Sequence, residues 1–376
     1  MVSATLLRDD VARVATASLK VFDACLLPNG CLVAAPSHHP AYPARARGGM
    51  ECWPGRELGF AIAGMEALGR KVRQPLLSWL WDRADSFQET GLLFEDYAVN
   101  GIRRGREWQP DQAGTLLWAL CRAPDPWDRL EAAVVRKLAT GLAGLWDGSD
   151  FRTRYRDVWQ ERYADPTYGS HFPYSLAAAA AGLWLAAEVY GIQAWRVAAG
   201  QMAGRVADGW NARLGQFMRR FGRSGNDSNV DASLLGLVWP FSVVDDADRL
   251  HAVVENVEAR LLSEIGVYRY VYDSYDGEVD PFGEDLRQGA GAWPLLTFWL
   301  AIAHSRLGDQ PRALQTFQIG LDTVDNDGVL PEQVFPPGDP RVGVKPRLWS
   351  HMLFALAADE LGLLPRRPNG ATRGTQ

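Results

Sequence analysis

The sequence predicts an all-α protein in which six helical hairpins close into a toroid with an inner and an outer ring. Helical patterns recur along the whole 376-residue chain and are separated by connections rich in Gly, Pro and Asp. Strongly apolar segments such as 176–189 and 293–303 alternate with amphipathic ones such as 127–145 and 250–262. We expect the apolar helices to be buried all round and the amphipathic helices to expose one face. This alternation is what an inner and an outer ring require.

Twelve helices are expected, and their predicted ranges are 10–26, 57–68, 73–88, 111–122, 126–145, 173–190, 193–212, 231–239, 247–262, 290–306, 310–322 and 346–361. Alternation typical of strands is scarce: 267–272 is the main candidate and 31–35 a weaker one. No sharp break in composition divides the chain, so one domain is predicted over 1–364. The tail 365–376, which contains Pro, Arg, Gly, Asn and Thr, is predicted to be disordered.

The polar and aromatic loops all precede helices of the inner type. Their ranges are 48–57, 101–111, 157–173, 221–231, 268–291 and 325–347. Six loops gathered at one end of a toroid would form a deep pocket, which is where binding and catalysis are expected.

Composition excludes several classes of function. The formal net charge of −6 gives no basic surface for nucleic acid, so no nucleic-acid partner is expected. No window approaches 18 uninterrupted apolar residues, and the first ten residues lack the pattern of a signal peptide, so neither a membrane span nor secretion is predicted. The four cysteines have no CxxC spacing, which favours free thiols in a reducing compartment. The predicted location is therefore cytoplasmic.

Metal and nucleotide chemistry is not predicted either. The six histidines form no HExxH or similar pattern, and the chain has no P-loop, no GxGxxG after a strand and no GxSxG elbow. We therefore expect no metal and no cofactor, and a small carbohydrate or glycosylated molecule as the partner.

The chain is rich in tryptophan, with 15 Trp beside 11 Tyr and 14 Phe. Packing in a large core accounts for about half of them. The rest lie in or beside the loops and are better explained as the lining of a pocket: Trp53, Trp108, Trp159, Trp293 and Trp349.

A carboxylate stands close to an indole in the loop 157–173, at Trp159-Gln160-Glu161. An aromatic ring can pack on a pyranose face while a carboxylate handles protons or hydroxyls, so this group is typical of a sugar site. The alternative for Glu161 is a surface ion pair with Arg162, which follows it in the sequence.

Acidic residues also mark the starts of several predicted helices. Arg56 and Glu57 could together donate to and accept from neighbouring hydroxyls of a polyol. Alternatively, Glu57 is an acid that interacts with the helix dipole. Asp111 and Asp231 are interpreted as helix N-caps.

The stretch 268–275 alternates tyrosine and arginine with period two, which would place its first three tyrosines on one face and Arg269 on the other. The mixture suits hydroxyl recognition by stacking and by charged hydrogen bonds. The stretch contains Arg269, Tyr270, Asp273 and Tyr275.

Glu332 follows a proline in a loop and is flanked by apolar residues, so its carboxylate is either well hydrogen-bonded or chemically used. Two carboxylates of such a pocket could divide into a general acid and a general base, with room for water between them.

In this order the segments resemble the glucoamylase-type glycoside hydrolases, family 15, whose fold is an (α/α)6 barrel. The resemblance extends from about residue 50 to residue 360. It is carried by the substrate-clamp segment 53–57, the segment 108–114, the loop and helix 223–236, the sugar-binding stretch 269–275, the general-base segment 331–333 and the motif 348–351.

The resemblance implies an inverting hydrolase that releases a terminal glucose unit from an α-glucoside, with Glu332 as the base that activates water. The family's general acid directly follows the Trp of Asp-x-Trp-Glu-Glu. Here that position is Gln160, which cannot donate a useful proton, and only the second carboxylate remains, as Glu161. In the family that second carboxylate binds substrate.

Further departures lie at the clamp, which contains an extra Gly55 and has Glu57 where the family has Asp. A family tyrosine four residues before the clamp Trp is Gly49 here. Together with Gln160, these changes indicate a pocket that is kept while its chemistry is altered.

Three hypotheses follow. The first is a glycosidase for a small α-glucoside, of isomalto- or trehalose-type, in which Glu161 or another pocket carboxylate protonates the leaving group. The second is a repurposed barrel that performs non-hydrolytic acid/base chemistry on a glycosylated or polycyclic metabolite. The third is a catalytically silent sugar-binding protein.

Overall fold

A computed structural model describes residues 4–44, 52, 55–122, 127–223, 225–275 and 289–364. Within these ranges the chain forms twelve α-helices: α1 (Ala4–Cys25), α2 (Arg56–Ala67), α3 (Arg73–Arg83), α4 (Phe87–Thr90), α5 (Pro110–Cys121), α6 (Arg129–Leu145), α7 (Pro173–Tyr190), α8 (Gln193–Ala207), α9 (Ala247–Leu261), α10 (Pro294–Arg306), α11 (Gln310–Leu321) and α12 (Leu348–Glu360).

Within the described residues, the connections contain two 3-10 helices and several short antiparallel strand pairs. The 3-10 helices are Pro166–Tyr168 and Ala232–Leu237. The strand pairs are β1 (Tyr155–Arg156) with β2 (Tyr163–Ala164), β3 (Ser170–His171) with β6 (Phe221–Gly222), β4 (Trp210–Asn211) with β5 (Gln216–Phe217), and β7 (Leu262–Ser263) with β8 (Gly266–Val267).

Six helical elements close the inner ring. Around it, α2 packs on α5, α5 on α7, α7 on the 3-10 helix Ala232–Leu237, that helix on α10, α10 on α12, and α12 again on α2. The outer helices pack against this ring, with α1 on α12, α6 on α5 and α7, α8 on α7, α9 on the 3-10 helix, and α11 on α10. The predicted toroid of inner and outer helices is confirmed.

Burial follows the predicted alternation. Every residue of α5 is buried, whereas α6 buries a stripe that includes Val134, Leu138, Leu142 and Leu145. The prediction fails at the end of α7, where Trp184 is 45% exposed and Val189 53% exposed. Its last turns are therefore not covered on all sides.

Small residues let α5 and α7 approach closely. A Cβ at Gly114 would stand 2.2 Å from the carbonyl oxygen of Ala178, and one at Gly182 would stand 2.2 Å from the carbonyl oxygen of Gly114. The alanine run before Gly182 is thus explained by the packing of two inner helices.

Four predicted segments differ from the structure. The segment 231–239 forms a 3-10 helix, and 73–88 is divided between α3 and α4, with Ser86 at φ 63° between them. The strand predicted over 267–272 is wrong beyond Val267, and 31–35 contributes only an isolated bridge at Leu32. No described helix has both the length and the apolar character to cross a bilayer.

Candidate active site

The loop between β1 and β2 presents Trp159, Gln160 and Glu161, and a buried carboxylate fixes its shape. Asp157 Oδ1 accepts the backbone N–H groups of Glu161 at 2.9 Å and Arg162 at 3.3 Å. Burial raises the pKa of Asp157, whereas Arg219 lowers it. Gln160 takes a left-handed φ of 62°, which is uncommon for a residue other than glycine.

Both oxygens of Glu161 act as acceptors. Arg269 donates from Nη2 to Oε1 at 2.7 Å, and the Tyr270 hydroxyl donates to Oε2. The predicted surface ion pair with Arg162 is the longer contact, at 3.8 Å. Glu161 is 30% exposed in its side chain, so it remains within reach of solvent or a ligand.

Arg269 is a buried, fixed cation. It donates from Nε and Nη2 to the two oxygens of Asp273, each at 2.7 Å, in the bidentate geometry that gives strong and directional pairing. Four aromatic rings surround the guanidinium at 4.7–5.3 Å: Trp159, Tyr270, Tyr275 and Trp293. The stretch 269–275 is therefore built around one arginine.

Two consecutive residues of the stretch 269–275 contact the same carboxylate. The predicted strand would have placed them on opposite faces. Arg269 and Tyr270 both contact Glu161, so they do not lie on opposite faces. The chain then turns outward, because Tyr272 has φ 67° and is 89% exposed.

A buried ion network supports the indole of the loop. Trp159 donates its N–H to both oxygens of Asp231 at 3.1 Å, and Arg219 pairs with Asp231 at 2.8 Å and with Asp157 at 2.9 Å. Asp231 also accepts the N–H of Ser233, so its predicted N-cap role is confirmed. Sequence reasoning missed Arg219, because nothing in its neighbourhood marks its partners.

A second charged group surrounds Glu332. Arg347 Nε lies 3.5 Å from Glu332 Oε1, and its Nη2 donates to Glu57 Oε1 at 3.0 Å. Glu332 is 5% exposed and Glu57 is 2% exposed. Arg347, also missed, is thus a cation shared by two predicted site carboxylates, so Glu57 does more than face a helix dipole.

Helix α12 holds the segment that carries Glu332. The Arg347 N–H donates to the Leu330 carbonyl at 2.9 Å, and the Ser350 hydroxyl donates to the Pro331 carbonyl at 2.8 Å. The Leu330 N–H in turn donates to His351 Nε2 at 3.1 Å. Because Nε2 accepts, the hydrogen of this imidazole lies on Nδ1, which faces the Ser18 hydroxyl at 2.9 Å.

Aromatic rings connect the two charged groups. The ring of Trp159 lies 6.4 Å from Trp349 and 5.9 Å from Trp293, which lies 6.2 Å from Tyr275. Arg56 packs over Trp349 at 5.3 Å. The structure thus brings together most of the predicted site residues.

Trp108 and Asp111 have contacts that the sequence did not indicate. Trp108 stacks on Phe94 at 3.7 Å, which gives its ring a packing partner. Asp111 is not an N-cap: α5 begins one residue earlier, and Asp111 Oδ2 lies 3.4 Å from Arg56 Nη1. Trp53, Gly49 and the tail 365–376 lie outside the described residues.

Gln160, at the expected acid position, is held by its neighbours. Its side-chain amide donates from Nε2 to the backbone carbonyl of Glu95 at 3.1 Å. The backbone carbonyl of Gln160 accepts a hydrogen bond from Arg156 Nη1 at 2.9 Å. Burial raises the pKa of the Glu95 carboxyl to about 7, although Arg156 Nε lies 3.0 Å away and lowers it. Glu95 was not predicted as a site residue.

Comparisons with known proteins agree with this architecture. No protein-family profile matches the chain. An isomaltose glucohydrolase of Kribbella flavida is 29% identical over 307 residues, which cover 76% of this chain and 73% of the relative. A glycosidase solved in complex with glucose superposes with a TM-score of 0.75 at 23% identity, over 97% of this chain and 100% of the other. A glucoamylase from Saccharomycopsis fibuligera gives 0.67 at 12% identity, over 96% of each chain.

The chain has the glucoamylase-type fold and is similar in sequence to a glycoside hydrolase. The resemblance inferred from the ordered segments is therefore confirmed, as is the (α/α)6 barrel. In this chain, the loop that carries Glu161 leads into α7 and the loop that carries Glu332 leads into α12, and both helices belong to the inner ring.

Proposed function

We propose that the chain is a glycosidase that hydrolyses a small α-glucoside with inversion, and that Glu332 is its general base. The observation that carries the proposal is the placement of Glu332. Its carboxylate is buried beside Arg347, on a segment that three hydrogen bonds tie to α12 and its N-cap residue. A general base needs such fixed geometry to orient the attacking water.

Unsatisfied polar atoms near Glu332 fit a polyhydroxylated substrate. Within the described residues, Arg56 Nε, Glu57 Oε2 and the indole nitrogen of Trp349 are buried without a hydrogen-bond partner. Buried polar groups cost free energy unless they are paired. Sugar hydroxyls would supply both donors and acceptors here, and the ring of Trp349 offers a flat apolar surface beside them.

Glu161 and Arg269 provide the second recognition group. With Tyr270 and Asp273 they form a rigid set whose outer member, Glu161, is partly exposed. We propose that Glu161 accepts a substrate hydroxyl and that it is also the candidate acid in place of Gln160. As an acid it would first have to take up a proton, because both its oxygens accept hydrogen bonds in this arrangement.

The relative named isomaltose glucohydrolase favours a disaccharide with an isomaltose-type linkage as the first substrate to test. The experiment incubates the purified protein with isomaltose, trehalose and maltose and follows product anomers by NMR. Release of β-glucose as the first product supports inversion, because the substrate bond is α.

Two controls make the result decisive. Glu332→Gln should lower the rate of release by at least about 100-fold, whereas Glu258→Gln, which changes a partly exposed ion-pair partner on α9, should not. Sugar binding by calorimetry with no release from any of the three disaccharides or from α-glucosyl fluoride would contradict the proposal and favour a silent sugar-binding protein.

A further inference from the structure

Two arginines flank the position at which an acid is missing. Arg156 precedes and Arg162 follows Trp159-Gln160-Glu161 on the β1–β2 hairpin. The side chain of Arg156 is 34% exposed and that of Arg162 is 30% exposed, so both guanidinium groups are held by the protein and still reachable.

Arg156 is oriented by contacts from three sides. It donates from Nη1 to the Gln160 carbonyl and from Nη2 to the Tyr163 hydroxyl, and its Nε lies 3.0 Å from Glu95. Tyr163 is itself covered on its ring by Arg154 at 4.4 Å and by Arg156 at 4.7 Å. The guanidinium therefore cannot swing away from Gln160 without breaking these contacts.

Arg162 is held equally firmly. Its Nε lies 3.2 Å from Asp227, its Nη1 lies 3.8 Å from Glu161, and its guanidinium packs 4.9 Å from the ring centre of Tyr270. Both arginines thus hold positive charge close to the residue that, in a glucoamylase-type site, would face the leaving group.

Asp227 and Glu161 lie beside Arg162, whereas the acids near Arg156 do not fully cancel its charge. Glu107 is paired with Arg154 at 2.6 Å. Burial raises the pKa of Glu95 to about 7 and also raises the pKa of Asp96, so these two carboxyl groups are held less readily as anions. Arg220 adds a further cation, with Nη1 donating to the Tyr163 carbonyl at 3.4 Å.

We propose, on the basis of the function proposed above, that the preferred leaving group is an anion, namely a phosphate linked through oxygen to the anomeric carbon, which Arg156 and Arg162 stabilise by charge. The singly protonated phosphate ester can depart as hydrogen phosphate without a further proton, whereas a sugar alkoxide cannot depart without one. Glutamine at position 160 is then compatible with catalysis, because the two guanidinium groups stabilise the charge of the leaving group that a proton would otherwise neutralise.

The step balances without any further reactant. Water attacks the anomeric carbon and gives one proton to Glu332, while the bond between that carbon and the phosphate oxygen breaks with its electron pair on the oxygen. The products are β-glucose and inorganic phosphate, and Glu332 returns its proton to solvent.

The test compares three substrates on the full-length protein: an α-glucosyl phosphate, isomaltose and α-glucosyl fluoride, a neutral substrate whose leaving group needs no proton. We expect kcat/KM to be highest for the phosphate. Arg156→Gln and Arg162→Gln should each lower kcat/KM for the phosphate by about 10–100-fold, because each removes a charged hydrogen-bond donor, and should change the value for the fluoride much less.

Controls separate charge from folding. Arg249→Gln removes an arginine of similar exposure on α9 and should leave all three substrates unchanged. Arg156→Lys should restore part of the activity on the phosphate, and inorganic phosphate should inhibit the unaltered protein competitively.

The opposite pattern overturns the inference. If isomaltose is preferred and the arginine variants lower all substrates equally, the leaving group is neutral and the glycosidase proposal stands alone. If none of the three substrates is hydrolysed in a Glu332-dependent way, both proposals fail.

Discussion

Arg347 Nε lies 3.5 Å from Glu332 Oε1, and the same guanidinium donates to Glu57. The cation is the N-cap residue of α12, so the helix that closes the inner ring also places a positive charge beside the proposed base. An ionised Glu332 is thereby stabilised, which suits a group that must accept a proton from water.

Glu332→Gln keeps the shape of the side chain but removes the acceptor for the proton of the attacking water. We expect kcat to fall by about 10²–10⁴-fold, the usual contribution of a general base. Steady-state kinetics on the best substrate measure the fall, and calorimetry should show that sugar binding persists. A variant with nearly unchanged kcat would remove Glu332 from the mechanism.

Gln160→Glu should restore a proton donor. The carbonyl of Glu95, which now accepts from Gln160 Nε2, can only accept a hydrogen bond, so a carboxyl at this place is favoured in its protonated form. We expect the kcat/KM for isomaltose to rise by about tenfold or more. The variant should lose this activity at alkaline pH, because the new acid ionises there.

Gln160→Asn is the matched control for that gain, because it changes the size of the side chain without adding an acid. If Gln160→Glu is no more active on neutral disaccharides than the unaltered protein, position 160 does not face the leaving group.

Asp273→Asn should lower stability as well as activity. Asp273 and Arg269 are 2% and 3% exposed in their side chains, and removal of one charge leaves the other buried with Glu161 as its remaining anionic partner. The expected loss in the free energy of unfolding is about 3 kcal/mol, near the lower end for a broken buried pair. Urea unfolding measures this loss, and Asp246→Asn at an exposed i,i+3 pair should cost under about 1 kcal/mol.

Stability should fall in acid through His351. Burial lowers the pKa of this imidazole from 6.5 to about 3 in the folded state. The folded protein therefore favours the neutral ring, and its contribution to stability is fully present above pH 6.5 and is lost as the pH falls from 6.5 towards 3. The slope attributable to this group is about 1.4 kcal/mol per pH unit.

His351→Gln tests that slope by urea unfolding between pH 7 and pH 4. The variant should be less stable at pH 7, because the bonds to Leu330 and Ser18 are disturbed, yet its stability should depend less on pH. His251→Gln, at an exposed position on α9, should keep the original slope. Equal slopes in all three proteins would contradict the assignment.

Helix periodicity was sufficient to predict the ring, because apolar and amphipathic segments such as α5 and α6 differ along their whole length. The ion pairs were not predictable in the same way. Arg219 meets Asp157 across 62 residues and Arg347 meets Glu57 across 290, so only the closed ring brings these partners together. Local alternation misled at 268–272, since Arg269 and Tyr270 are drawn to the same carboxylate, Glu161.

The hairpin that carries Gln160 is closed by its own strand pair, Tyr155 with Ala164 and Arg156 with Tyr163. Its Asp157, Trp159 and Glu161 side chains bind Arg219, Asp231 and Arg269, so an exchanged segment has to keep these three residues for the barrel beneath it to stay unchanged. Residues 155–164 therefore form a unit of ten residues that can be grafted. Variation of its remaining positions, Gln160 among them, would change the leaving group that the barrel prefers.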